Sequence, residues 1–243
     1  MSQSTSSVSQ SWVDLAPDLR GYFAYPDDDK AHPALIVFIE AFGINAHFKQ
    51  LAARLAQAGY ATLIPDIFHG KSYDYADRDN AVGHLRTLND AQVMTEANAA
   101  LDYLQTCAQA TDAVGILGFC MGGRYAFLAN AELSARIRAT AAFYGGGIAP
   151  EQDPIGRKPL LDRIPEMQTP LLLQYGSADH SITPAEHARI VQALGTADKR
   201  YTLDLYPGAG HGFFCDDRPT YHAEAAAQGW HRILDFFNQH LGD

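Results

Sequence analysis

Gly118-Phe119-Cys120-Met121-Gly122-Gly123 is the stretch of this 243-residue chain whose residue types and spacing speak most directly of chemistry. The apolar run Val114-Gly115-Ile116-Leu117 leads into it and the helix-compatible residues 124–129 lead out, so the order is strand, sharp turn, helix, with a thiol at the apex. G-x-C-x-G is a nucleophile-elbow pattern, with Cys where Ser is more often found. Its glycines let strand and helix backbones approach closely around one strained residue, which then faces solvent above the sheet edge. A helix beginning at Met121 points unpaired N–H groups at the sulfur, favouring negative charge there and on an oxyanion beside it. The competing reading is structural, because Cys is among the most buried residue types and a Gly-rich strand-helix turn can serve packing alone.

A thiol nucleophile needs a base and a group to orient that base, so the question is which elements bring them. Ala34-Leu35-Ile36-Val37-Phe38-Ile39 is a continuous apolar run, the signature of a strand buried on both faces, and it ends in Glu40. Phe48, Leu51, Ala52 and Leu55 make a helical stripe that stops at Gly59, and residues 60–64 restart an extended pattern toward Asp66. Residues 68–89 are polar and irregular, a loop or short helix over one face of the sheet where a substrate would enter. A long helix follows, whose stripe Val93, Ala97, Ala100, Leu104 and Cys107 places Cys107 toward the core. Beyond the elbow come strands over residues 139–144, 170–175 and 201–206. Between the last two, Thr183-Pro184-Ala185-Glu186 is a capping box opening a helix that ends before Gly195. A final helix carries the stripe Ala226, Trp230, Ile233, Phe237 and Leu241. Alternating strands and helices predict an α/β fold, a three-layer αβα sandwich on a mostly parallel sheet.

Ligands of such a sheet bind outside the carboxyl ends of its strands, and Glu40, Cys120, Asp179 and His211 all leave strands at that edge. The chain order nucleophile, acid, histidine suits a triad in which His211 takes the thiol proton and Asp179 fixes the imidazole tautomer. Asp66 also leaves a strand and competes for the acid role; Asp179 is preferred because it lies after the elbow and before the histidine. The ten histidines lack the H-E-x-x-H or paired-cysteine spacing of a metal site, and no phosphate-binding glycine motif occurs, so neither metal nor cofactor is expected.

Composition narrows the partners. A formal net charge of −10 disfavours nucleic acid and anionic membranes and points to a small-molecule partner. Three cysteines, Cys107, Cys120 and Cys215, are too few for a disulfide framework and suit a reducing, cytoplasmic setting. Residues 1–12 read as a Ser-rich disordered tail, residues 13–243 as one domain, and the protein as a monomer.

Glu40-Ala41-Phe42-Gly43-Ile44-Asn45, Pro65-Asp66, the cysteine elbow, Gly176-Ser177-Ala178-Asp179 and Gly210-His211-Gly212-Phe213 together resemble the dienelactone hydrolase family, along nearly the whole chain after Asp14. The resemblance implies an α/β-hydrolase fold and a Cys120, Asp179, His211 triad acting on a small lactone or ester. It implies that Glu40 engages the resting thiol until substrate arrives, and that the backbone N–H groups of Ala41 and Met121 form the oxyanion hole. Family members bind a substrate carboxylate with arginines. Arg78 is matched to one of them, while Phe213-Phe214-Cys215-Asp216-Asp217 offers none where the second is expected, which favours a neutral or monoanionic ester. The alternative is a non-hydrolytic protein in which Cys120 lines a ligand pocket or senses oxidants.

Overall fold

The computed structural model describes residues 7–242. Its eight strands are β1 (Val8–Ala16), β2 (Leu19–Pro26), β3 (His32–Phe38), β4 (Ala61–Pro65), β5 (Ala110–Phe119), β6 (Ala139–Phe143), β7 (Leu171–Gly176) and β8 (Tyr201–Tyr206). They form one sheet in the order β1-β2-β4-β3-β5-β6-β7-β8. Pairing is antiparallel at β1–β2 and β2–β4 and parallel from β4 to β8. The helices are α1 (Ala46–Gln57), α2 (Arg78–Leu85), α3 (Asp90–Thr106), α4 (Met121–Glu132), α5 (Pro184–Thr196) and α6 (Ala223–Leu241), with a 3-10 turn at Leu161–Glu166.

Two glycines of β5 show how both faces of the sheet are covered. A Cβ on Gly115 would run into Phe237 and Leu241 of α6, and one on Gly118 would run into Ala126 and the Gly122 carbonyl of α4. Positions three apart on a strand face opposite sides, so α6 and α4 lie on opposite layers, and each needs a residue without a side chain to approach closely. Phe119, on the Gly115 side, packs edge-on against Phe48 of α1, which joins α1 to the α6 layer. This is the three-layer arrangement that the strand-helix alternation implies.

Three sequence-based expectations need correction. Residues 8–12 are not tail: they belong to β1, which pairs along β2 from Val8↔Pro26 to Ala16↔Leu19 and forms one edge of the sheet. Trp12 meets Tyr22 edge-on and lies under Arg20, so contacts across the strand pair hold a segment whose Ser-rich composition shows little hydrophobic drive. Residues 1–6 lie outside the described residues. Cys107, the residue after α3, packs half-buried against the core as its stripe predicts, and its thiol donates to Gln109 Oε1. Helix α5 runs through Gly195 to Thr196. Only half of its capping box forms: Thr183 accepts from Glu186 N, but the Glu186 carboxylate turns away to accept from Ala149 N.

Candidate active site

Cys120 sits between β5 and α4 with φ 54 and ψ −116, a left-handed backbone that a non-glycine residue adopts only when the surroundings impose it. The surroundings are specific. Cys120 N–H donates to Phe143 O on β6, Gly122 N–H donates to Ile39 O, and a Cβ on Gly122 would collide with the Phe38 carbonyl. The elbow is thus wedged between the carboxyl ends of β3 and β6, and its sulfur is aimed at the loop after β8.

His211 arrives on that loop. Its Nε2 is 3.1 Å from Cys120 Sγ and its Nδ1 is 2.8 Å from Asp179 Oδ2. Asp179, buried on the loop after β7, spends its other oxygen on the Ser181 and Ile182 backbone N–H groups at 2.8 and 3.2 Å. The electrostatics follow from these contacts. Burial opposes a charged imidazole, but the Cys120 sulfur and Asp179 outweigh it and push His211 up to about 10. For Asp179, burial acts to raise the pKa, yet the His211 hydrogen bond and charge and the two backbone donors hold it below the usual carboxylate range. Three side chains remote in sequence therefore form one line, carboxylate to imidazole to sulfur.

The backbone N–H groups of Ala41, just past β3, and of Met121, first residue of α4, make no hydrogen bond to another described residue. Met121 N–H is one of the donors that any helix start leaves unpaired. Asp66 does not compete for the histidine, because its carboxylate accepts from Gly70 N–H at 2.7 Å and braces its own turn.

Glu40 is placed differently from what the resemblance implies. Fully buried, it accepts from Tyr144 Oη at 3.0 Å on one oxygen and pairs with Arg218 Nη1 at 3.2 Å on the other. No hydrogen bond joins it to Cys120, whose sulfur is turned to His211. Neither partner was singled out from sequence. Arg218 lies seven residues beyond His211, past the 213–217 stretch where an arginine is expected, and the loop folds back to bring it to Glu40. Tyr144 closes an apolar strand and reads there as core. It is buried at φ 39, packs edge-on against His211, and its hydroxyl is held well above its ordinary pKa by burial and the Glu40 charge, so it remains a proton donor. Burial opposes the Arg218 charge, but Glu40 and the nearby sulfurs more than offset that and raise its pKa.

Cys120 and His211 open onto a cavity of about 610 Å³. Its far walls come from the loop after β6 and from α5, with Leu85 contributed by α2. Arg78 is exposed at the start of α2 and is not on this wall; the arginines that line the cavity are Arg157 and Arg189. One buried side chain anchors the loop. Arg124 of α4, fully buried, donates to Gly147 O and to Lys158 O at 3.0 Å and pairs with Asp90 at 2.6 Å. Elsewhere His47, Cys215, Asp216 and Asp217 cluster with their ligand atoms within 4.8 Å of one another, although both aspartates are exposed.

The sequence model of the dienelactone hydrolase family matches residues 19–241. This chain belongs to the dienelactone hydrolase family. Family membership makes it a carboxylic ester hydrolase on an α/β-hydrolase fold. It is 34% identical over 230 residues to a Synechocystis sp. protein named "Putative carboxymethylenebutenolidase", covering 92% of each chain. It is 33% identical over 244 residues to a Bradyrhizobium sp. protein named "Probable 2-oxo-3-(5-oxofuran-2-ylidene)propanoate lactonase", covering 98% of this chain and 97% of the other. Among solved structures it superposes on a "Putative Dienelactone Hydrolase" from Klebsiella pneumoniae with a TM-score of 0.89 at 29% identity, covering 96% and 100% of the two chains.

Proposed function

We propose that this dienelactone hydrolase family member cleaves a small lactone or ester with Cys120 as nucleophile, His211 as general base and acid, and Asp179 as the orienting carboxylate. The observation that carries the reading is the unbroken hydrogen-bond line from Asp179 through His211 to Cys120, opening onto a cavity of small-molecule size. The lactone-hydrolase names of two relatives support the substrate class.

His211 Nε2 has taken the thiol proton before substrate arrives, and in the first half-reaction the sulfur attacks the carbonyl carbon. The carbonyl oxygen becomes an oxyanion held by the Ala41 and Met121 N–H groups, aided by the positive end of α4. Collapse breaks the C–O bond, and the departing alkoxide or enolate takes the proton from His211, leaving a thioester on Cys120. A water then gives His211 its proton while attacking the thioester, and the thiolate leaves with the acid as product. Asp179, with its second oxygen committed to the backbone, keeps Nδ1 protonated throughout and stabilises the imidazolium. A sulfur already paired with His211 needs no prior switch of Glu40. That carboxylate instead compensates the buried Arg218 charge beside the site.

A panel of activated esters and lactones tests the reading. Cys120→Ala and His211→Ala should each lower turnover by about 10³-fold or more. Ester turnover that survives Cys120→Ala would refute it, and no turnover of any ester, with stoichiometric peroxide modification of Cys120, would instead favour a redox role.

A further inference from the structure

The cluster of His47, Cys215, Asp216 and Asp217 takes no part in the mechanism above. It joins the second residue of α1 to the loop after β8. His47 Nδ1 is 3.3 Å from Asp216 Oδ1, 169 positions later in the chain, and one ligand atom from each of the four residues lies within 4.8 Å of the others. The two inner ligands are enclosed. His47 is 5% exposed, its ring packs edge-on against Phe48 and Phe214, and its Nδ1 makes no hydrogen bond outside the cluster among the described residues. Cys215 is fully buried, whereas both carboxylates face solvent.

A hydrogen-bond chain prepares the sulfur for negative charge. Asn45 caps α1 with Oδ1, which accepts from Phe48 N–H at 3.2 Å, so its Nδ2 is left to donate to Tyr75 Oη at 2.9 Å. The Tyr75 oxygen thus has its donor, and burial keeps its own proton in place. Tyr75 Oη lies 3.1 Å from Cys215 Sγ. An intact thiol can donate across that contact, but a thiolate there receives the Tyr75 proton instead. Without a cation the charge does not form, because burial pushes the free thiol up to about 12.

We propose that His47 Nδ1, Cys215 Sγ and the carboxylates of Asp216 and Asp217 bind a divalent transition-metal ion, Zn²⁺ being the best match, and that the ion staples the loop carrying His211 and Arg218 to the start of α1. Imidazole and thiolate disfavour Mg²⁺ and Ca²⁺, which take oxygen ligands, and four protein ligands make a closed site of the structural kind. Ligands about 2.0–2.3 Å from an ion stand roughly 3.3–3.8 Å apart in a tetrahedron, so the exposed carboxylates close in by about an ångström through side-chain rotation. As the metal–sulfur bond forms, the thiol S–H bond breaks and its proton passes to water; His47 binds as the neutral imidazole with its proton on Nε2. Three anionic ligands then face the ion, and Arg218, whose charge reaches Cys215, is neutralised by Glu40. The site is separate from hydrolysis and does not depend on the hydrolase reading. Its place in the chain gives it a purpose, because Cys215 lies four residues after His211 and Asp217 immediately before Arg218.

The test uses the full chain carrying Cys120→Ala, which removes the other cysteine-histidine pair, with Zn²⁺ or Co²⁺ alone as the probe. Calorimetry should show one Zn²⁺ per chain, and Co²⁺ should give a sulfur-to-cobalt charge-transfer band in the near ultraviolet. Cys215→Ser should abolish that band. His47→Ala, Asp216→Asn and Asp217→Asn should each raise the Kd for Zn²⁺ about 10- to 100-fold, and Tyr75→Phe about 10-fold through the sulfur it supports. Zn²⁺ should also raise Tm and slow backbone hydrogen exchange over residues 211–218. Absence of Zn²⁺ binding, or a cobalt band and Kd unchanged by Cys215→Ser and by both aspartate variants, would overturn the site. If Cys215→Ser does not fold, the two exposed aspartates decide the question. Binding that leaves exchange of the loop unchanged would overturn its role as a staple.

Discussion

At the scale of single residues, the proton on His211 is the quantity that the geometry controls. With its pKa raised to about 10, the imidazole still carries at neutral pH the proton that a departing alkoxide needs. The sign follows: the group is protonated below about 10 and loses that proton as pH rises through it. The expected outcome is a kcat/KM profile that falls on the alkaline side around pH 10. A profile governed by an imidazole titrating near its ordinary value of about 6.5 would contradict the close sulfur and carboxylate contacts. Cys120, Asp179 and His211 were all legible in sequence, because each lies in the turn or short loop that follows an extended run, beside small residues. Arg218 and Tyr144 were not. Arg218 sits in a polar stretch that reads as solvated surface and Tyr144 in an apolar strand, so nothing local distinguishes them from scaffold.

At the scale of elements, the loop after β6 is the least regular part of the cavity wall and has the most particular anchor. Arg124 reaches from α4 to two of its carbonyls and to Asp90 at the start of α3, so one buried guanidinium ties two helices to the loop. Arg124→Met should destabilise the fold by about 2–4 kcal/mol, read as a lower Tm. The two carbonyls lose their donor, and Asp90, 37% exposed, regains water but loses its cation. A variant melting with the parent would show that the loop holds by packing alone. Element boundaries were readable where turn chemistry is local, as with Pro184 and Thr183 at the start of α5. The orientation of Glu186 was not, because the capping pattern predicts a reach back to Thr183 while the tertiary fold offers a buried backbone donor at Ala149.

At the scale of the whole molecule, the antiparallel end of the sheet depends on β1. Its register along β2 covers a row of backbone groups that would otherwise form a sheet edge, and Trp12 packs on Tyr22 across the pair. Removing residues 1–16 should lower Tm and raise the tendency to self-associate, measured by thermal unfolding and size-exclusion chromatography, because β2 becomes an unprotected edge. A truncated chain as stable and monodisperse as the parent would show that β1 only rests on the sheet. No helix of the described residues is long and apolar enough to cross a membrane.

By itself the sequence determined the strand-helix alternation, the parallel core and the identity of the elbow, because hydrophobic periodicity and glycine spacing are written in neighbouring residues. Tertiary structure alone decided the partners beyond the triad: Glu40 with Tyr144 and Arg218, and Arg124 with Asp90 and two loop carbonyls. Glu40 stands 104 and 178 positions from its two partners. The choice among many carboxylates and cations is made by which loops the sheet order brings to one edge, and no local pattern along the chain records that choice.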